Sequence, residues 1–226
     1  MTRVSAIDGH ALWAPVYNSG PNPLLHLERR SMNKLLGDLR PPVIIDVACG
    51  TGTWLLHFLQ RGSTVFGVDA CEPMLREAEK DGSLRSYLAL GAAEHLPFAA
   101  LGANLVLCSM SLGYFPNLKR VFEEFHRVAL PGAYVAISDL HPVAATAGWT
   151  RSFKRNGHRY ELATHFHSLE EIAQVAETVG LEPRRQEDAY IGDSEFAFFS
   201  STGKEMLFHA VTSIPALRLW LWEKPC

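Results

Sequence analysis

The sequence predicts an α/β fold built on a mostly parallel, doubly wound sheet. Two observations carry this. Strand-like and helix-like segments alternate from about residue 24 to residue 138, the order that parallel sheets with crossover helices require. The first strand, Val43-Ile44-Ile45-Asp46-Val47, is a nearly continuous apolar run rich in β-branched residues, the mark of a strand buried on both faces.

The elements follow in order. Residues 24–39 read as a helix because Leu24, Leu25, Leu27, Leu35, Leu36 and Leu39 share one side among Glu28, Arg29, Arg30 and Lys34, and Pro41-Pro42 ends it. After the strand and a glycine turn comes a helix around Trp54–Arg61, then a strand Ser63–Val68 ending at Asp69. Pro73 suits the first turn of a helix that runs to Lys80. Short strands are expected at Tyr87–Leu90 and Asn104–Ser109. A helix at Leu118–Leu130, with Phe122 and Phe125 inward, is punctuated by Pro131-Gly132 before a strand Ala133–Ser138. Beyond Asp139 the pattern changes. Asn156-Gly157 between two short segments signals a type I′ hairpin. Ser168, with Glu171 three residues on, forms a capping box for a helix that Gly180 ends. Strands near Glu182–Tyr190 and Ala216–Glu223 close the chain, with Phe196–Ser213 as the crossover and Trp220 and Trp222 in the core.

Composition narrows the function classes. A chain of 226 residues with 47% hydrophobic and 20% charged residues supports one sizeable α/β domain. Lys+Arg of 21 against Asp+Glu of 24, a net charge of −3, lacks the basic field of a nucleic-acid binder, so nucleic acid is disfavoured. The segment Met1–Trp13 has no apolar signal core, and the uncharged run Leu96–Leu118 is broken by Pro97, Gly102, Gly113 and Pro116. A cytoplasmic protein without a membrane span is expected. The four cysteines are scattered, and none of the ten histidines stands in metal-ligand spacing, so no metal is expected.

The turn Asp46-Val-Ala-Cys-Gly50-Thr-Gly52-Thr lies between a strand and a helix, where glycines let a ligand approach the backbone and the helix offers free N–H donors. Asp69 ends the next strand, placed to accept both hydroxyls of a ribose. A dinucleotide fingerprint would need a third small residue where Leu55 stands, and a phosphate loop would need lysine where Thr53 stands. The expected ligand is therefore a nucleoside without phosphates.

Five segments in order resemble the class I S-adenosylmethionine-dependent methyltransferases, and within them the small-molecule branch that includes the ubiquinone and menaquinone biosynthesis enzymes. They are Val43–Gly52 (VIIDVACGTG), Val65–Asp69 with Glu72-Pro-Met-Leu75, Gly91–Phe98 (GAAEHLPF), Asn104–Ser109, and Val128–Gly132. Together they cover about residues 41–140. The resemblance implies a Rossmann-like, seven-stranded sheet with one antiparallel strand near its edge, and S-adenosylmethionine as cofactor with S-adenosylhomocysteine as product. It implies that Ala48, Cys49, Gly50 and Gly52 form the loop beside the methionine and ribose, and that Asp46 touches the amino-acid end or orients the loop. Asp69 would hold the ribose hydroxyls, Ala70 and Met74 the adenine. Ala92, Ala93 and Glu94 would line the adenine side, Ala93 through its backbone N–H, while Ser109 and Met110 would lie beneath the sulfonium. Tyr17 resembles the tyrosine of an N-terminal lid. The family's usual adenine-binding Asp is replaced by Ala92, so that contact is absent, moved to Glu94, or made by water. The fourth segment starts Ala103-Asn104 in place of the usual Phe-Asp.

The reading that follows is one domain: a lid at 1–40, a cofactor core at 41–140, an acceptor-side insertion at 141–167 and a helix-strand part of the same sheet at 168–226. Methyl transfer is an in-line displacement in which positioning and water exclusion dominate. His141, after the fifth strand, and Tyr114, after the fourth, are the candidate catalytic residues, with Tyr114 equally suited to form a wall. His165 and His167 and the basic residues Arg151, Lys154, Arg155, Arg159, Arg184 and Arg185 are candidates for the acceptor side, against a solvated face. The partner expected is a small-molecule acceptor. The rivals are an RNA or protein methyltransferase, a protein that holds the cofactor without chemistry, and a nicotinamide-dependent reductase.

Overall fold

The computed structural model describes residues 1–226. Strand β1 (Thr2–Val4) and helices α1 (Ala6–Trp13) and α2 (Pro23–Leu36) precede β2 (Val43–Val47), α3 (Thr53–Leu59), β3 (Thr64–Asp69), α4 (Glu72–Ala78), β4 (Leu88–Leu90) and β5 (Ala103–Ser109). There follow α5 (Leu118–Val128), β6 (Ala129–Leu140), α6 (Pro142–Thr146), β7 (Ser152–Arg155), β8 (His158–Leu162), α7 (Leu169–Thr178), β9 (Glu182–Tyr190), α8 (Asp193–Ser200), α9 (Glu205–Val211) and β10 (Pro215–Glu223). No helix is long and apolar enough to cross a membrane.

Seven strands make one sheet in the order β4-β3-β2-β5-β6-β10-β9, and β10 alone runs against its neighbours. This is the predicted sheet. Its faces follow from side-chain alternation. In β2, Ile44 packs with α2, α3 and the α8–α9 crossover, whereas Ile45 and Val47 point to the layer formed by α5 and α7. Helix α5 buries Leu118, Val121, Phe122, Phe125 and Val128, a helical stripe that brings both phenylalanines inward as expected. Trp220 and Trp222 lie in the same layer, each 1% exposed.

Three details differ from the sequence reading. Strand β6 begins at Ala129, and its register with β5 jumps from Ala103↔Ala129 to Leu105↔Tyr134, so Pro131-Gly132 is a bulge within the strand. Gly132 takes φ +75° there, and its N–H donates to the Lys224 carbonyl at 2.8 Å, tying the bulge to β10. Ser168 caps α7 by accepting the Glu171 N–H at 3.1 Å, but the box is not closed: the Glu171 carboxylate lies 3.4 Å from His167 Nδ1. The third difference is a second sheet, β1-β8-β7. The hairpin has Asn156 at φ +49° and Gly157 at φ +78°, as a type I′ turn requires. To it β1 adds in parallel, Thr2 opposite Tyr160. Three residues at the N-terminus give too little pattern to read as a strand, and their partner lies about 158 positions away.

Candidate active site

The carboxyl ends of β2, β3, β4 and β5 open into a cavity of about 1010 Å³. Open α/β sheets bind ligands at this edge because the loops that leave it diverge to either face. The loop after β2 makes the tightest turn: Ala48, Gly50 and Gly52 have φ of +57°, +54° and +75°. Gly50 N–H donates to Asp69 Oδ2 at 2.8 Å, and Cys71 N–H donates to Asp69 Oδ1 at 2.8 Å. The Asp69 carboxylate thus joins the ends of β2 and β3 and keeps acceptor capacity for a ligand. Burial raises its pKa, while the amides of Cys71, Gly50 and Ala70 lower it.

Of the residues singled out in the sequence, Tyr17, Asp46, Ala48, Cys49, Gly50, Asp69, Ala70, Met74, Ala92, Ala93, Glu94, Ser109, Met110 and Tyr114 line this cavity. Two do not. Gly52 faces inward, where an added Cβ would meet Leu84 Cδ1 at 2.6 Å and Ala78 Cβ at 3.3 Å; it is the left-handed corner that lets α3 pack on the sheet. His141 is 5% exposed and lies outside the cavity. Its Nδ1 accepts the Val143 N–H at 3.1 Å as the cap of α6, and its Nε2 sits 3.4 Å from Asp188. Burial lowers its pKa, with Asp188 opposing. The strand before it continues to Leu140, which carries His141 past the cavity and turns it toward β9 and β10.

Tyr114 is a wall. Its ring stands edge-on to His10, centroids 4.9 Å apart, and the Arg151 guanidinium lies over it at 4.6 Å. Arg151 pairs with the buried Asp139 and donates to the Met110 carbonyl, and Asp139 also accepts the Gly113 N–H at 2.6 Å. The insertion is thereby pinned to the ends of β5 and β6. Met110 holds φ +56°, uncommon for a side chain of its size, and its N–H donates to the Ser138 carbonyl at 2.8 Å. Tyr17 packs its ring on Trp13 at 4.8 Å, and burial pushes its hydroxyl well above the ordinary range. Beside it, Thr51 donates to Asn18 Oδ1 at 3.1 Å, linking the N-terminal segment to the glycine loop. His165 and His167 lie beside a separate cavity of about 270 Å³, where His167 Nε2 bonds the Phe115 carbonyl at 2.9 Å.

The far wall is apolar and was not legible in the sequence. Ile191, Phe199 and Val211, each at most 7% exposed, come from the β9–β10 crossover, and Trp149 from the insertion. Arg159 reaches the cavity from β8, whereas Arg184 and Arg185 do not. Two carboxylates lie at the base, Asp46, expected there from the sequence, and Glu28, which was not. Asp46 is 2% exposed with Oδ1 unpartnered, and burial followed by Asp69 and Glu28 raises its pKa. Glu28, 3% exposed, sits in a run of charges, Glu28-Arg29-Arg30, that looks solvated in one dimension.

A family profile described as a methyltransferase domain matches residues 45–137, the span that builds the nucleoside side of the cavity. Over residues 45–137 the chain is similar to the methyltransferase domain family. It is 30% identical over 145 residues to the malonyl-[acyl-carrier protein] O-methyltransferase of Hamiltonella defensa subsp. Acyrthosiphon pisum, covering 63% of this chain and 54% of that one. It is 34% identical over 98 residues to the demethylmenaquinone methyltransferase of Lactiplantibacillus plantarum, 40% of this chain and 41% of that one. An S-adenosylmethionine-dependent methyltransferase structure from Mesorhizobium loti superposes with a TM-score of 0.68 at 17% identity, over 87% of this chain and 97% of that one. The chain spans about half the length of the curated relatives it matches. The methyltransferase segments lie where the geometry places the glycine loop, Asp69 and Ala92–Glu94. The apolar wall and the β1-β8-β7 cap lie outside the matched residues 45–137.

Proposed function

We propose that this protein moves a methyl group from S-adenosylmethionine to a small-molecule acceptor with an apolar body. The observation that carries this is one cavity with two unlike halves: the glycine loop, Asp69 and Ala92–Glu94 on one side, and Ile191, Phe199, Val211 and Trp149 on the other. The unpartnered Asp46 Oδ1 and the buried Glu28 suit a ligand that brings its own positive charge. The donor supplies an activated methyl on a sulfonium, so the protein contributes alignment and dryness.

Each residue has a stated task. Asp69 accepts the ribose hydroxyls with its free acceptor positions. The Ala93 N–H and the Glu94 side chain face the adenine, and Met74 and Ala70 flank it. Gly50 and Ala48 let the backbone come close to the amino-acid end. Ser109 and Met110 floor the donor, and Tyr114, clamped between His10 and Arg151, sets the angle at which an acceptor arrives. Tyr17 with residues 1–40, joined to the insertion 141–167 through the small sheet, forms the lid that sheds water and keeps polymers out. No dedicated base is assigned to His141.

Calorimetric titration tests the donor half. Wild type binds S-adenosylmethionine and S-adenosylhomocysteine in the micromolar range and does not bind NAD, and Asp69→Ala loses both sulfur nucleosides. Absence of binding in the wild type would sink the reading. One observation favours a second reading, in which the protein holds the nucleoside without chemistry: Ala92 stands where the family carries its adenine-binding carboxylate. Donor binding with no methyl transfer to any member of an apolar acceptor panel selects it.

A further inference from the structure

We infer that Glu28 makes the cavity prefer the cationic donor over its neutral-sulfur product, a role that rests on the methyl-transfer reading above. Glu28 lies on α2, outside all five family segments, and lines the cavity at 3% exposure. Its Oε1 accepts from the Ser138 hydroxyl at 2.8 Å, and its Oε2 accepts from the Trp54 indole N–H at 3.3 Å. Ser138 Oγ in turn accepts the Met110 N–H at 3.2 Å. The carboxylate is therefore set between the first turn of α3 and the ends of β5 and β6. Ser109 and Met110 line the cavity there, and in the reading above they lie beneath the reacting sulfur.

No cation of the protein bonds to it. The adjacent Arg29 turns away, its guanidinium 5.1 Å from the centre of the Trp54 ring and donating to the Thr53 carbonyl at 3.3 Å. The other ionisable groups facing Glu28 are Asp46, whose Oδ1 has no partner at 2% exposure, and Tyr17. A buried carboxylate with only neutral donors is costly, and a cation entering the cavity removes that cost. Burial raises the Glu28 carboxyl above its ordinary range, against the bonds from Ser109, Ser138 and Trp54 and the charge of Arg29.

The reaction changes the charge at that spot. The acceptor's lone pair forms a bond to the methyl carbon, the carbon–sulfur bond breaks with its electron pair left on sulfur, and the sulfonium becomes a neutral thioether. The methionine ammonium and carboxylate are the same before and after. Glu28 thus attracts the donor more than the product, which selects the methyl-bearing ligand and lets the spent one leave.

The test is the ratio of the two dissociation constants, measured by titration calorimetry on wild type and Glu28→Gln. The amide keeps the shape, accepting from Trp54 and donating to Ser138 Oγ. The expected result is S-adenosylmethionine binding weakened by about tenfold (~1.4 kcal/mol), with S-adenosylhomocysteine changed by less than about threefold. Equal weakening of both overturns the inference, since the carboxylate would then serve the shared ammonium or the fold. An unchanged ratio overturns it as well. Should Glu28→Gln not unfold cooperatively, the triple variant Glu28→Met/Ser138→Ala/Trp54→Phe replaces it, because exchanging all the bonded partners for apolar groups of similar size leaves little unpaired. If wild type binds neither ligand, the methyltransferase reading fails first and the inference with it.

Discussion

Asp139 and Arg151 show how a single contact can build a site. Their side chains are 8% and 10% exposed, and Asp139 also holds the Gly113 N–H. Removing one member leaves the other buried and uncompensated, so Arg151→Met should cost about 3–5 kcal/mol in denaturant unfolding. Adding Asp139→Asn should restore part of it. His141 behaves otherwise. His141→Ala removes a helix cap, a loss of about 1 kcal/mol, and should leave S-adenosylhomocysteine affinity unchanged in calorimetry. A large drop in affinity would mean that His141 reaches the ligand after all. In the sequence His141 stands just after a strand, at the carboxyl edge where a ligand-facing residue is expected. Two residues of extra strand, Asp139 and Leu140, carry His141 away from the cavity.

At the scale of elements, α3 is set by Gly52 and α8 by Glu195. Gly52 combines φ +75° with Leu84 Cδ1 only 2.6 Å from a would-be Cβ. Gly52→Ala should therefore destabilise by more than about 1 kcal/mol and weaken nucleoside binding indirectly through the displaced loop. Glu195 is fully buried and accepts from His26 at 2.9 Å, Arg30 at 3.1 Å and its own turn's Gly192 N–H at 3.0 Å. This fastens the crossover that supplies the apolar wall to α2, the helix that carries Glu28. Glu195→Ala should lower stability by about 1–3 kcal/mol and raise hydrogen exchange in α8 and α9 more than in β2 or β5. The helices around the sheet were legible because their apolar stripes repeat with helical period. The crossover was not, because Phe196–Ser213 carries apolar residues without a stripe that names its partner.

The whole molecule responds to ligand and to pH. Saturation with S-adenosylhomocysteine at about 100 times its Kd should add about 2.7 kcal/mol and raise the Tm by roughly 5–10 °C. Burial lowers the pKa of His10 from 6.5 to about 4, with the Ala6 carbonyl opposing and Arg151 assisting. The unfolded chain then binds the proton that the folded one refuses, so this group withdraws stability as pH falls from about 6.5 to about 4. The carboxyls of Asp46, Glu28 and Asp69, raised by burial, act in the opposite direction. The measurement is therefore a difference. His10→Asn should lose less stability than wild type over that interval, and parallel curves would refute the assignment.

The alternation of strands and helices, the glycine turn after β2, the acid at the end of β3 and the hairpin at Asn156-Gly157 are local facts. Each depends on residues within a few positions of one another, so the amino-acid order alone determined the sheet, its switch point and the nucleoside half of the cavity. The rest of the cavity is non-local. Glu28, His10, Arg151 and Phe199 are far apart in the chain and meet only because β1 pairs with β8, α2 packs on β10, and Glu195 ties α8 to α2. Burial, which decides whether a carboxylate is a solvated charge or an unneutralised one, is a property of that packing, and no window of sequence contains it.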